Sequence, residues 1–219
     1  MFAPPPILPT EVFARVPDHL RVRGRQSPWA SVHRLGRPTD SFLEGPSFDR
    51  AGNLYVVDLA WGRIFKITAA GAFTVAAEYD GQPNGLKIHR DGRIFVADRQ
   101  RGIVQVDPES GQVTTVVPGF EGRPFQGVND LVFANNGDLY FTDQGSSGLN
   151  SPTGRVFRLR AGGALDLVLD RIPSPNGLAL NRDDSVLFLN VTRDNAVWRV
   201  PLAPGLTPGT ISATVCSCR

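Results

Sequence analysis

Short runs in which apolar and polar side chains alternate recur along the chain, and turns rich in Gly, Asn and Asp separate them. In residues 154–160 (GRVFRLR) the apolar Val, Phe and Leu stand between Arg and Gly. Such alternation directs successive side chains to opposite faces of a β-strand. No segment sustains the apolar spacing of a helix. A fifteen-residue phrase appears four times, at 44–58, 84–98, 129–143 and 176–190. Each copy opens with Glu or Asn, runs through a half-apolar stretch to a polar turn, and ends in an aliphatic- and aromatic-rich strand closed by Asp or Asn. The turns contain Gly52, Gly92 and Gly137 after Asn or Asp-rich residues, while the fourth copy substitutes Asp183-Asp184-Ser185. Asn-Gly and Asp-Gly pairs tolerate the positive φ that tight hairpins require.

Two further strand-like runs follow in each unit. They are 62–68 and 72–78, then 102–107 and 112–117, then 154–160 and 164–170; after the last copy come 196–202 and, as a final strand, 210–215. The openers stand 40, 45 and 47 residues apart. Four strands per unit at a spacing of about 40–50 residues predict an all-β fold, a β-propeller built of four-stranded blades. The expected organisation is a single domain over 1–219, with an N-terminal lead (1–30), four blades starting near 44, 84, 129 and 176, and an atypical tail over 204–219.

Composition narrows the partners. The 23 basic and 21 acidic residues leave a net charge of +2, which offers no electrostatic case for nucleic acid. The basic cluster Arg21, Arg23 and Arg25 reads as an exposed, solvated turn. Both cysteines, Cys216 and Cys218, fall in the tail, so no disulfide framework is expected in the body, consistent with a reducing compartment. No apolar stretch reaches the ~18 residues of a membrane span, and the proline-rich start lacks the features of a secretory signal. These features predict a cytoplasmic protein without a membrane partner, and they leave its oligomeric state open.

In a propeller, equivalent positions of successive blades form a ring about the central channel. Glu44, Asn84, Asn129 and Asn176 are equivalent, so their side chains are expected to converge at one mouth. One carboxylate among amide oxygens suits a hard divalent cation. Zinc and copper more often recruit His or Cys, and His19, His33 and His89 occupy no repeated position, which reads as structural or exposed. Asp130 follows Asn129 directly and could supply a supporting hydrogen bond or a further carboxylate, but alternation along a strand would turn it the other way, and capping a turn explains it equally well. Asp58, Asp98 and Asp143 read as structural residues at strand ends.

The phrases Leu43-Glu44-Gly45-Pro46, Gly127-Val128-Asn129-Asp130 and Ser174-Pro175-Asn176-Gly177-Leu178, together with the stretch 139–159, resemble the gluconolactonase and senescence-marker (regucalcin-like) lactonases from about residue 28 to 203. The resemblance implies a six-bladed propeller that holds a divalent metal, Ca2+ foremost with Zn2+, Mg2+ and Mn2+ as alternatives. It implies a small-molecule lactone or ester as substrate, opened by metal-polarised attack of water. The implied metal ligands are Glu44, Asn129 and Asn176, with Asn84 and Asn129 lining the substrate site. Two departures stand out. Gly127 occupies the position at which regucalcin-type members carry a substrate-holding arginine, which puts the glucono-lactone preference in doubt. The PDG-type motif that carries the family's further ligand and base occurs nowhere in the 219 residues, so the catalytic base is unassigned. These departures predict a C-terminally truncated or frame-altered product with weak metal affinity and impaired turnover. The alternatives are a non-catalytic propeller used for binding or as a scaffold, and a calcium-binding regulator.

Overall fold

The computed structural model describes residues 6–202 and the backbone of 214–216. After a short helix α1 (Pro28–His33), the chain forms β1 (Leu43–Phe48), β2 (Leu54–Asp58), β3 (Arg63–Ile67) and β4 (Phe73–Glu78). A second sheet follows as β5 (Pro83–Ile88), β6 (Ile94–Asp98), β7 (Gly102–Val106) and β8 (Val113–Val117). A two-residue pair, β9 (Gly119–Phe120) and β10 (Arg123–Pro124), precedes the third: β11 (Val128–Phe133), β12 (Leu139–Asp143), β13 (Gly154–Leu159) and β14 (Leu165–Ile172). The fourth holds β15 (Pro175–Leu180), β16 (Val186–Val191), β17 (Ala196–Pro201) and β18 (Thr214–Cys216). Each four-stranded sheet is an antiparallel meander in sequence order. The chain is a β-propeller with four blades, whose innermost strands β1, β5, β11 and β15 pack successively about one axis.

The expected final strand agrees in part: β18 begins at Thr214, and 210–213 lie outside the described residues. So do the side chains of the tail, including Cys216 and Cys218. The lead departs from the all-strand expectation through α1. Ser27 starts that helix by accepting a hydrogen bond from the Ala30 amide, and it donates its own hydroxyl to the Ala60 carbonyl. Trp29 and Ala30 then pack on Leu59 and Ala60, which ties the lead to the first blade. Arg21 and Arg23 pair with Asp40 and Asp18, and Arg25 lies over the Trp61 ring, so the basic cluster is engaged in local contacts. Among the described residues no helix is long and apolar enough to cross a membrane.

The core lies between blades rather than within them. Tyr55, Val57 and Ile64 of the first blade meet Leu86, Val96 and Val104 of the second. Phe95 and Ile103 of the second meet Leu131, Phe141 and Phe157 of the third, and Val156 and Ile172 of the third meet Leu178, Leu187 and Leu189 of the fourth. Alternation along the strands supplies each blade with two such faces.

Antiparallel register brings the end of each second strand beside the start of the first: Leu43 faces Asp58, Pro83 faces Asp98 and Val128 faces Asp143. There the strand-end acids perform a repeated task. Asp58, Asp98 and Asp143 are buried, and each accepts a 2.8 Å hydrogen bond from the backbone amide two residues before the opener, on Phe42, Gln82 and Gly127. Arg63 completes the first site, the Tyr79 hydroxyl the second and Arg155 the third. Burial and the neighbouring Asp98 carboxylate push the Tyr79 phenol far above its ordinary range, so it stays a donor. The fourth copy lacks this device, because Asn190 is exposed and the Ser174 amide donates instead to the Ser147 hydroxyl.

Inner strands approach one another closely. A Cβ on Gly85 would lie 2.7 Å from the Asn129 carbonyl oxygen and 2.7 Å from the Asp130 Cα, a gap that only glycine fits.

Asp143→Ala strands Arg155 and the Gly127 amide, and is expected to cost about 3–5 kcal/mol. Asn190→Ala in the fourth blade should stay within about 0.5 kcal/mol; urea denaturation of both variants checks the contrast. Gly85→Ala must push two inner strands apart and is expected to lose about 1–3 kcal/mol in the same assay.

Candidate functional site

Each inner strand carries a β-bulge at its opener. The pairing register shifts between Glu44 and Ser47, Pro83 and Gly85, Val128 and Leu131, and Pro175 and Leu178. A bulge kinks the strand and re-aims the side chains at the break. The result is that Glu44, Asn84, Asn129 and Asn176 all border the same space on the axis. The four openers separate two cavities: about 200 Å3 on the mouth side and about 270 Å3 on the channel side, and they line both. The mouth falls below the ~300–1,000 Å3 usual for drug-sized ligands, which suits a single small ring.

The bulge also corrects the expectation for Asp130. Strict alternation would turn it away from Asn129, yet both residues border the channel cavity. In the position where the other three blades have glycine, Asp130 fits against Gly85, with its carboxylate 3.6 Å from where a Gly177 Cβ would stand. Its carboxylate accepts from the Leu131 amide and lies 3.8 Å from Lys87 Nζ. Its own backbone amide donates to Thr142 Oγ1, whose hydroxyl donates to the Asn176 carbonyl and so links the third blade to the fourth.

Glu44 is the acid of the ring. Partial burial raises its carboxyl above the ordinary glutamate range, the Asp130 charge raises it further, and a backbone hydrogen bond at Gly45 opposes both. Among the described residues no salt-bridge partner lies within 4.0 Å of Glu44. The Asn129 amide nitrogen donates to Gln144 Oε1 at 3.1 Å, and Gln144 Nε2 donates to Ser174 Oγ at 2.9 Å. Among the described residues no donor reaches Asn129 Oδ1, which leaves it able to accept or to ligate. Among the described residues no three His, Cys, Asp or Glu side chains cluster as a metal site would require on those residue types alone. The ring's donor set is one carboxylate and three amides, which matches an oxygen-seeking cation better than zinc.

The mouth has walls that the opener pattern missed. Trp29 and His33 of α1, with Phe42, form one side; Leu59, Arg99 and Gln144 contribute to the others. These last three share a signal, since each directly follows a strand-end acid in its repeat. Register places the acids at the mouth, so a ring of residues one position later belongs there as well. His33, exposed at the rim and stacked on Trp29 with ring centroids 5.5 Å apart, is held below the usual imidazole pKa by burial and by the charge of Arg99. A Cβ on Gly127 (φ 146°) would stand 3.3 Å from Arg99 Nη2, so a side chain there and the Arg99 guanidinium compete for one space. A larger groove of about 390 Å3 lies at the opposite, hairpin end, against Lys66, His89 and Arg90, and contains none of the openers. All four openers border the smaller cavities instead.

Residues 42–214 match the family described as the SMP-30/Gluconolactonase/LRE-like region. The chain is similar to a gluconolactonase of Zymomonas mobilis, 40% identical over 116 residues that make up 49% of this chain and 33% of that protein. It is also similar to the lactonase drp35 of Staphylococcus aureus, 29% identical over 86% of this chain and 59% of the relative. The chain thus spans from a third to three-fifths of the length of these two relatives. Among solved structures, a gluconolactonase from Xanthomonas campestris superposes with a TM-score of 0.70 at 23% identity, covering 78% of this chain and 62% of that one. A calcium-binding regucalcin from Agrobacterium tumefaciens does so with a TM-score of 0.66 at 23% identity, covering 80% and 58%. At that identity the structural likeness speaks for the fold, and the family match speaks for descent: this chain belongs to the SMP-30/gluconolactonase/LRE-like family.

Proposed function

We propose that this protein is a lactone hydrolase whose site is the opener ring, and that the ring holds a divalent cation, calcium in the first place. The observation that carries the reading is Glu44: a carboxylate at the edge of the cavity, without a salt-bridge partner among the described residues, crowded by the Asp130 charge and set among Asn84, Asn129 and Asn176. Repulsion from Asp130 makes that charge unfavourable until a cation or a proton neutralises it. A scaffold propeller has no use for it. The relatives named gluconolactonase and lactonase support the choice of a cyclic ester as substrate.

Glu44, Asn129 and Asn176 would hold the cation through oxygen, with Asn84 facing the substrate. A bound divalent cation supplies Lewis-acid polarisation of an ester carbonyl and stabilises the oxyanion formed by attack of water. The chain's own residues prepare the ground. Gln144 fixes the Asn129 amide so that its carbonyl oxygen is presented. Trp29 and Phe42, with ring centroids 4.6 Å apart, offer an apolar wall against which a lactone ring packs away from water. A calcium-binding regulator would use the same ligands, and the likeness to the calcium-binding regucalcin of Agrobacterium supports it as the second reading.

Calorimetric titration with calcium is expected to show one site, and Glu44→Gln should abolish it. In calcium-free buffer the same substitution removes the repulsion between Glu44 and Asp130 and is expected to raise the melting temperature. Gln144→Leu frees the Asn129 amide and should weaken calcium by about tenfold to a hundredfold. Calcium-dependent hydrolysis of glucono-δ-lactone, followed by acid release, separates the enzyme from the regulator: calcium binding with no turnover of any lactone would assign the second reading.

A further inference from the structure

Three charged side chains of the central blades, Arg63, Arg99 and Arg155, lie near the strand-end acids, and two are accounted for. Arg63 is paired with Asp58 and Arg155 with Asp143. Arg99 is not: among the described residues no carboxylate comes within ion-pair distance of it. Its guanidinium makes one long hydrogen bond, 3.4 Å from Nη1 to Gln144 Oε1. That acceptor is neutral and already takes the Asn129 amide at 3.1 Å. The acid whose field favours the charge on Arg99 is Asp143, and its oxygens are occupied by Arg155 and the Gly127 amide.

The position is not an accident of a loose surface side chain. The Arg99 backbone amide donates to the Gln82 carbonyl at 2.9 Å, which fixes the residue at the loop next to the second opener. The guanidinium fills the space left by the missing side chain of Gly127 on the neighbouring blade. It is partly buried, and burial works against its charge. Its remaining N–H donors have no protein acceptor among the described residues and are open to whatever enters the mouth. Its planar fork matches a carboxylate through two parallel hydrogen bonds.

We infer that Arg99 is a specificity-determining residue that binds a carboxylate substituent on the substrate ring, so that the preferred lactones are those of sugar diacids or similar acid-bearing rings rather than neutral ones. The inference rests on the lactonase reading only for the identity of the ring. Within the mouth the charged groups are Glu44 on the floor and Arg99 on the wall, with His33 at the rim biased toward its neutral form. An acid-bearing lactone can thus place its ester over the openers and its carboxylate on Arg99, with Trp29 and Phe42 against the ring.

The test uses the full chain in calcium-containing buffer and a matched pair of probes that cannot be hydrolysed, tetrahydropyran carboxylate and its neutral carboxamide, titrated by calorimetry. The carboxylate is expected to bind about tenfold to a hundredfold more tightly than the amide. Arg99→Gln should erase that ratio, and Arg99→Lys should restore part of it. Arg99→Met, which keeps the apolar stem, repeats the measurement should Gln disturb the loop. In the hydrolysis assay, Arg99→Gln should lower kcat/KM for a glucaro-lactone relative to glucono-δ-lactone, mainly through KM. Equal binding of the two probes, a ratio that survives loss of Arg99, or an equal loss toward both lactones would overturn the inference. Because the probes report without turnover, an inactive chain that still discriminates through Arg99 would defeat the hydrolase reading and leave this one standing. An active chain blind to the carboxylate would do the reverse.

Discussion

The hydrogen bond donated by the backbone amide two residues before the opener to a strand-end carboxylate holds the mouth of this propeller together. It occurs at Asp58, Asp98 and Asp143 with the same length, and it joins the end of the second strand to the loop that enters the first. With that loop held, the bulge that follows places the opener at a set height on the axis. The residue after the acid is then carried to the wall of the mouth. Floor and wall are thus two consequences of one polar contact, repeated in three blades.

Charge is distributed around this contact in a way that separates structure from chemistry. The carboxylates of Asp58 and Asp143 are each matched by an arginine, and that of Asp98 by a tyrosine hydroxyl. Those acids are committed to the fold. Glu44 and Arg99 have no such partner among the described residues, and both border the mouth. The charges the fold consumes are thus the buried ones, and the two left unpaired at the mouth are the ones on which the proposed site rests.

The fourth blade is built on the same meander but without the acid. Asn190 is exposed, and the hydroxyl of Ser147, from the long loop of the third blade, serves the Ser174 amide instead. The same hydroxyl donates to the Ile172 carbonyl and accepts from the Gly154 amide, so the loop 144–153 is bound to the blade it leaves. Ser174 also receives Gln144, the residue that orients Asn129. The third and fourth blades are therefore also coupled through side chains, and the fourth alone does without the carboxylate device.

Much of this was legible in the sequence. The alternation of side chains and the spacing of the openers determined the blades, because a strand's period and a repeat's length depend only on local geometry. The openers could be grouped as a ring because symmetry makes equivalent positions neighbours. Other features were decided by the tertiary structure. Alternation predicts opposite directions for Asn129 and Asp130, and the bulge defeats it, since a bulge follows from how two strands pair and leaves no mark in one strand alone. The six residues of α1 are too short to declare themselves by periodicity, yet they bring Trp29 and His33 to the rim by packing on Leu59 and Ala60. Arg99 looks in the sequence like one more exposed turn residue. Only the fold shows that its guanidinium lies in the space vacated at Gly127, 28 residues later and on another blade: sequence determines what each blade carries, and packing between blades decides which charges are left without a partner.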